Sequence, residues 1–187
     1  MNIIYDVDKY INQVVTLDNQ FYDDEYMWDD EYQKAIYEKN KDSFIACIYE
    51  DKLIGYLNYL TITDNMYNKI KTSNVIIDKF ELDDIIPFSN DVNIFIDSVV
   101  IDKNYQDTDV VKYLTDGLLS KLKSIDSKYN IKSLSGTAIS EDGKKLLTNL
   151  GMENVKLLND GNNLFIREDN VIASMENSLN KLKNKKA

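Results

Sequence analysis

The stretch IDSVVIDKNYQDTDVVKYLTDGLL, residues 96–119, passes from a β-branched apolar run through a polar loop into an amphipathic segment. Ile96, Val99, Val100 and Ile101 favour a buried strand, while Val110, Val111, Leu114, Leu118, Leu122 and Ile125 recur at helical spacing. A strand that hands a loop to a helix N-terminus gathers unpaired N–H groups and the positive end of the helix dipole at one point, which suits an anion. This loop has no glycine, and it places Asp107 and Asp109 where an anion would approach. Two arrangements fit these residues. In one, backbone donors along Gln106, Asp107, Thr108, Asp109, Val110 and Val111 hold an anionic group, with Lys103, Lys112 or Lys144 offsetting the acids. In the other, Asp107 or Asp109 accepts those donors itself and the helix is self-capped.

Outward from this stretch the pattern alternates between strand and helix. NIIYDV (2–7) reads as a short strand, followed by a helix marked by Tyr10, Val14, Leu17 and Phe21, with Asp6 or Asp8 as its cap. DDEYQKAIYEKN is a second helix. SFIACIYEDKLIGYLNYLTIT, from residue 43, places two strands around a tight turn at EDK. Residues 64–92 lack a clear period and hold the only proline, Pro87; they read as an excursion with a short helix or strand. After the 96–125 unit come a strand (131–139), a helix capped by Ser140 and stopped by Gly151, a hairpin turning at Asp160-Gly161, and a last helix with Val171, Met175, Leu179 and Leu182 on one face. This order predicts a mixed α/β layer arrangement around one sheet.

Composition narrows the chemistry. With 43% hydrophobic and 29% charged residues and one proline in 187, the chain reads as globular, with room for a substantial core. It contains no histidine, which excludes Ser-His-Asp and Cys-His relays and the usual zinc sites, so no metal is expected and any general base is a carboxylate, a tyrosine or a water they hold. The single cysteine, Cys47, lies in an apolar run and reads as an inert buried thiol. A net charge of −10 disfavours nucleic acid and anionic membranes and favours cations. No long apolar run and no basic-then-apolar leader is visible, so a soluble, cytoplasmic protein is expected.

Three features in this order resemble the GNAT superfamily of acyl-CoA-dependent N-acyltransferases: KLIGYLNY (52–59), the 96–119 stretch, and SEDGKKLLTNLGM (140–152). They look like the family's third strand, its fourth strand with pyrophosphate loop and third helix, and its fourth helix. The resemblance implies a central, mostly antiparallel sheet with splayed strands flanked by helices over residues 1–168, with 169–187 as a C-terminal helical extension. It also implies acetyl-CoA as co-substrate and a small-molecule or peptide amine as acceptor. The family's loop carries glycines where this chain, anchored on Gln106, has Asp109 and Val111.

By carry-over from the family, the backbone of Val99, Val100 and Ile101 would meet the pantetheine arm and thioester. An ordinary core strand would read the same. Asp97 interrupts the apolar strand where family members often place an acid facing the acceptor. It would act as base or hold an ammonium, or simply be a solvated carboxylate; strict alternation would point it with Val99 and Ile101. The family's thiolate-protonating tyrosine falls on Leu147, which cannot donate a proton; Tyr113 and Tyr129 are nearby substitutes in sequence, each equally readable as a packing or surface aromatic. The aromatic-acidic segment with Tyr22, Tyr26, Trp28 and Asp29 corresponds to an acceptor-lining region. It suits a cationic amine, a protein partner, or plain packing. The apolar face of the last helix covers the sheet or forms a homodimer.

Overall fold

The computed structural model of the chain describes residues 1–21, 30–77, 80–89 and 91–185. Its elements run β1 (Asn2–Ile4), α1 (Ile11–Asp18), α2 (Asp30–Lys39), β2 (Phe44–Tyr49), β3 (Lys52–Ile62), α3 (Asp64–Thr72), β4 (Asp91–Ile101), α4 (Val110–Asp126), β5 (Asn130–Ala138), α5 (Glu141–Asn149), β6 (Glu153–Leu157), β7 (Asn163–Arg167) and α6 (Val171–Lys185). The strands form one sheet in the order β1-β2-β3-β4-β5-β7-β6. Only β4 and β5 run parallel; the other neighbours are antiparallel. Helix α4 makes the crossover between β4 and β5 that a parallel pair requires.

Local chemistry explains most boundaries. Glu50 and Asp51 both take positive φ (48° and 60°), the conformation that lets a two-residue turn follow the twist of β2 and β3. Ser140 accepts a hydrogen bond from Gly143 N and starts α5, and Gly151 ends the helix turn at φ 83°. A Cβ on Gly151 would lie 2.9 Å from the Ser174 backbone, so the close packing of α6 also requires glycine here. Helix α1 is led in by a 3-10 turn at Asp8–Tyr10, where Asp6 Oδ1 accepts from Asp8 N, and it has no side-chain cap of its own. It ends at Asp18, and Phe21 is exposed beyond it. The 64–92 excursion contains α3, capped by Thr63 with Met66, Tyr67 and Ile70 buried. Its later part returns to β3: Ile85 bridges Ile62, and Ile86 N donates to Thr61 O.

Two layers of apolar side chains sandwich the sheet. One face packs under α4, α5 and α6 through residues including Ile45, Leu57, Ile94, Leu114, Leu118, Leu147, Met175 and Leu179. The other has two clusters: Leu60, Ile62, Met66, Phe80, Phe95 and Leu164 on one side, and Val14, Leu17, Phe44 and Tyr56 beneath α1 on the other. Cys47 is buried in the first layer, and burial raises its thiol pKa, as an inert core position requires. Val111 departs from the helical stripe: it is 39% exposed while Val110 is fully buried, because adjacent helix positions lie 100° apart and only one can face the sheet. Among the described residues, no helix is long and apolar enough to cross a membrane.

Candidate functional site

The parallel pairing of β4 with β5 runs from Asp91↔Asn130 to Ile96↔Gly136 and stops there. β4 continues to Ile101 paired with β3 alone, and Thr137 and Ala138 of β5 pair with β7 alone. The two central strands therefore part beyond Ile96 and Gly136. Parting leaves the β5-facing backbone edge of residues 99–101 outside the β4–β5 ladder, and such groups are strong hydrogen-bonding groups open to a ligand.

A register shift sits at the same point. Asn58 pairs with Ser98 and Tyr59 with Ile96, so Asp97 is the extra residue of a β-bulge. The bulge reverses the alternation of β4. Val92, Ile94 and Ile96 join the α4-side core, and after the bulge Val99 and Ile101 pack there, while Val100 is buried beneath α1. Asp97 itself does not share the face of Val99 and Ile101, as regular alternation would have it. Its Oδ2 accepts from Asn58 Nδ2 at 3.4 Å, which places it on the face of Tyr56, Asn58 and Ser98.

Asp97 is solvent-accessible, yet burial pushes its carboxyl up to about 6, with the Asp18 charge adding to the effect. Both hold for a carboxylate crowded by protein atoms on several sides and open to solvent on the rest. Asp18, the last residue of α1, is half-buried and is likewise pushed up to about 6 by burial, opposed by a hydrogen bond that Tyr56 Oη donates to Oδ1. Helix α1 is held over β3 by Leu53 N donating to Gln13 Oε1 at 2.9 Å. Tyr56 Oη also lies 3.3 Å from Ser98 Oγ. These contacts gather Asp18, Tyr56, Asn58, Asp97 and Ser98 into one cluster. Sequence reading singled out only Asp97 of these, because Asp18 and Tyr56 stand 79 and 41 positions away and carry no local signal.

The loop after β4 is built from its own hydrogen bonds. Asp102, 4% exposed, caps the 3-10 turn Lys103–Tyr105 by accepting from Asn104 N at 2.9 Å, and Lys52 Nζ meets its Oδ2 at 2.6 Å. Those bonds hold its carboxyl below the usual range, Lys52 first among the causes. Thr108 Oγ1 donates to Tyr105 O. Asp109 is the N-cap of α4, but its side chain makes no capping hydrogen bond, so the self-capped arrangement is not adopted there. Gln106, Asp107 and Asp109 are exposed. No residue of this loop takes a positive φ, so its shape does not demand glycine. Instead the glycine is on the neighbouring strand: a Cβ on Gly55 would stand 3.0 Å from Val110 Cγ1, so α4 approaches β3 closely at the loop.

Tyr113 is 41% exposed on the first turn of α4, and Tyr129 is stacked on Phe88 with centroids 6.3 Å apart, in a packing role. Leu147 is buried. Lys144 pairs with Glu141, and Lys103 Nζ lies 5.2 Å from the Phe21 ring centroid. Tyr22, Tyr26, Trp28 and Asp29 lie outside the described residues. Among the described residues there is no group of three or more potential metal ligands.

No family model matches the chain, and no curated protein is similar to it. Solved structures are similar in fold. A GNAT-like decarboxylase, GphF, in complex with isobutyryl-CoA matches with TM-score 0.69 at 8% identity, over 90% of this chain and 99% of that one. NAA60 of Arabidopsis thaliana in complex with acetyl-CoA matches with TM-score 0.64 at 9% identity, over 89% and 98%. An N-acetyltransferase from Staphylococcus aureus Mu50 matches with TM-score 0.59 at 11% identity, over 89% and 97%. The chain has the GNAT fold: a mostly antiparallel, open sheet with helices on both faces and a C-terminal helix.

Proposed function

We propose that the protein is an N-acetyltransferase that moves an acetyl group from acetyl-CoA to the primary amine of a small cationic or peptidic acceptor. The observation that carries this reading is the parting of β4 from β5 at the residue where an accessible carboxylate, Asp97, is raised toward neutrality. Proteins of this fold were solved with acetyl-CoA and with isobutyryl-CoA, which supports an acyl-CoA ligand. The residues present fit such a ligand. The β5-facing edge of Val99, Val100 and Ile101 is unpaired, the first N–H groups of α4 are not taken by Asp109, and the loop has an unstrained backbone.

Acetyl-CoA supplies the activated acyl group; the chain's own residues position and deprotonate the acceptor. Backbone groups of Val99 to Ile101 would orient the acyl arm, and N–H groups between Gln106 and Val111 other than that of Thr108, which donates to Tyr105 O, would meet its phosphates. Exposed Asp107 and Asp109 oppose the phosphates and weaken that affinity, and Lys112 and Lys103 offset part of the repulsion. Asp97 engages the acceptor nitrogen at the bulge. Tyr22, Tyr26, Trp28 and Asp29 are proposed to complete the acceptor side, and Tyr113 to protonate the leaving thiolate.

A second reading is favoured by one observation, the two carboxylates at positions 107 and 109: a binding protein on this fold that no longer takes acetyl-CoA. Thiol release from acetyl-CoA, screened over mono- and diamines and short peptides, separates the two. Turnover that falls at least tenfold in Asp97→Asn supports the enzyme. No thiol release with any amine, together with no acetyl-CoA binding, supports the scaffold.

A further inference from the structure

The bulge brings Ser98 onto the face of Tyr56, and the Tyr56 hydroxyl reaches in two directions. It lies 3.3 Å from Ser98 Oγ and donates to Asp18 Oδ1. Tyr56 is 2% exposed, so this link runs through the protein from the strand opening to the end of α1, where Asp18 is half-buried. Nothing among the described residues gives Asp18 or Asp97 a cationic partner: burial raises both, Tyr56 opposes the rise at Asp18, and at Asp97 the Asp18 charge adds to it while Asn58 opposes it.

We propose that Ser98, Tyr56 and Asp18 form a proton relay that drains the acceptor nitrogen, leaving Asp97 to orient that nitrogen. The inference rests on the acetyltransferase reading above. As the acceptor nitrogen bonds to the acyl carbon it becomes positively charged and acidic. The C–S bond breaks with its electrons on the departing thiolate. One N–H proton passes to Ser98 Oγ, the Ser98 proton to Tyr56 Oη, and the Tyr56 proton to Asp18. Serine and tyrosine finish neutral, Asp18 finishes protonated and then releases its proton to water, and no oxidant or reductant is involved.

The direction of the existing hydrogen bond suits this flow, because Tyr56 already donates to Asp18. Burial also suits it: a carboxyl raised to about 6 is a stronger base than an ordinary aspartate and is still ionised at neutral pH. Among the described residues, the titratable groups facing Asp18 are Tyr56 on β3 and Asp97 on β4; Tyr32 on α2 feels the Asp97 charge in turn. Asp18 and Tyr56 act through Ser98 and need not touch the acceptor.

The test is steady-state acetylation of the best amine found in the screen, with the pH profile, for Tyr56→Phe, Asp18→Asn and the double variant. The relay predicts a kcat lower by about tenfold or more in each, unchanged KM for acetyl-CoA, an acidic limb near pH 6 that carries only the Asp97 ionisation in Asp18→Asn, and no further loss in the double variant. Carbon-13 NMR titration of the aspartate carboxyls gives a readout independent of turnover. Removing the hydroxyl in Tyr56→Phe removes a bond that favours ionised Asp18, so its pKa should rise. Full kcat in a folded Tyr56→Phe, or an Asp18 titration identical to that of the parent, overturns the relay while leaving an acetyltransferase in place. No thiol release by the parent protein with any amine overturns both.

Discussion

Ile96 pairs with Gly136, and no pair joins β4 to β5 beyond them. The next residue is the bulged Asp97, so the opening between the strands and the change of face along β4 happen at one place. A single backbone irregularity thereby coincides with the end of the β4–β5 ladder, turns the Asp97 carboxylate to the face of Asn58 and brings Ser98 within reach of Tyr56.

The Asp97 and Asp18 carboxylates make stability fall as pH rises. Asp97 and Asp18 have folded pKa values of about 6 against 3.8 for an unperturbed aspartate, so the fold favours their neutral forms. Their contribution is fully present below about 3.8 and is lost as pH rises through about 6. Asp102, Asp64 and Glu168 act oppositely: hydrogen bonds and lysines lower them, and their contribution is lost on acidification. Denaturation midpoints between pH 4 and 8 should therefore peak on the acidic side of neutrality. Asp97→Asn should raise the midpoint at pH 7 and flatten the slope between pH 4 and 6, while lowering turnover.

Asp102→Ala removes a cap and leaves Lys52 and Asn104 without their acceptor. A loss of about 1–3 kcal/mol in urea denaturation is expected. Acetyl-CoA affinity should fall as well, because Asp102 fixes the entry to the loop.

Gly151→Ala places a Cβ 2.9 Å from the Ser174 backbone at a residue with φ 83°. The left-handed conformation and the overlap together predict a loss of about 2 kcal/mol or more in denaturation experiments. Gly161, also at positive φ but with nothing within 4 Å, should show only the conformational part on the same change.

Asp107→Gly/Asp109→Gly should tighten acetyl-CoA binding, by about tenfold at low salt and less at high salt. Neither carboxylate caps α4 and the backbone there is unstrained, so stability should drop by no more than about 1 kcal/mol per glycine. Unchanged affinity, measured by calorimetric titration at both salt levels, would mean that the phosphates do not approach this loop.

Elements with a local code were legible in the chain itself. The turn at Glu50-Asp51, the α4 stripe, the Ser140 cap and the Gly151 stop are each specified by a few neighbouring residues. Helix α3 was obscured because only Met66, Tyr67 and Ile70 of its nine residues are buried, too few for a clear period amid polar neighbours. The bulge was not legible, since it is a relation between two strands: nothing in NIFIDSVVI says that Tyr59 will pair with Ile96 rather than with Asp97. Asp18 was missed for the same reason. It ends a helix whose distance from β4 is set by tertiary packing, so its tie to Tyr56 has no counterpart in sequence spacing.

Isothermal titration of acetyl-CoA into the unmodified protein tests the central claim most directly. The opening at Ile96–Gly136, with the uncapped start of α4, predicts one site per chain and micromolar affinity. No heat of binding at millimolar acetyl-CoA, in the parent and equally in Asp107→Gly/Asp109→Gly, would contradict it.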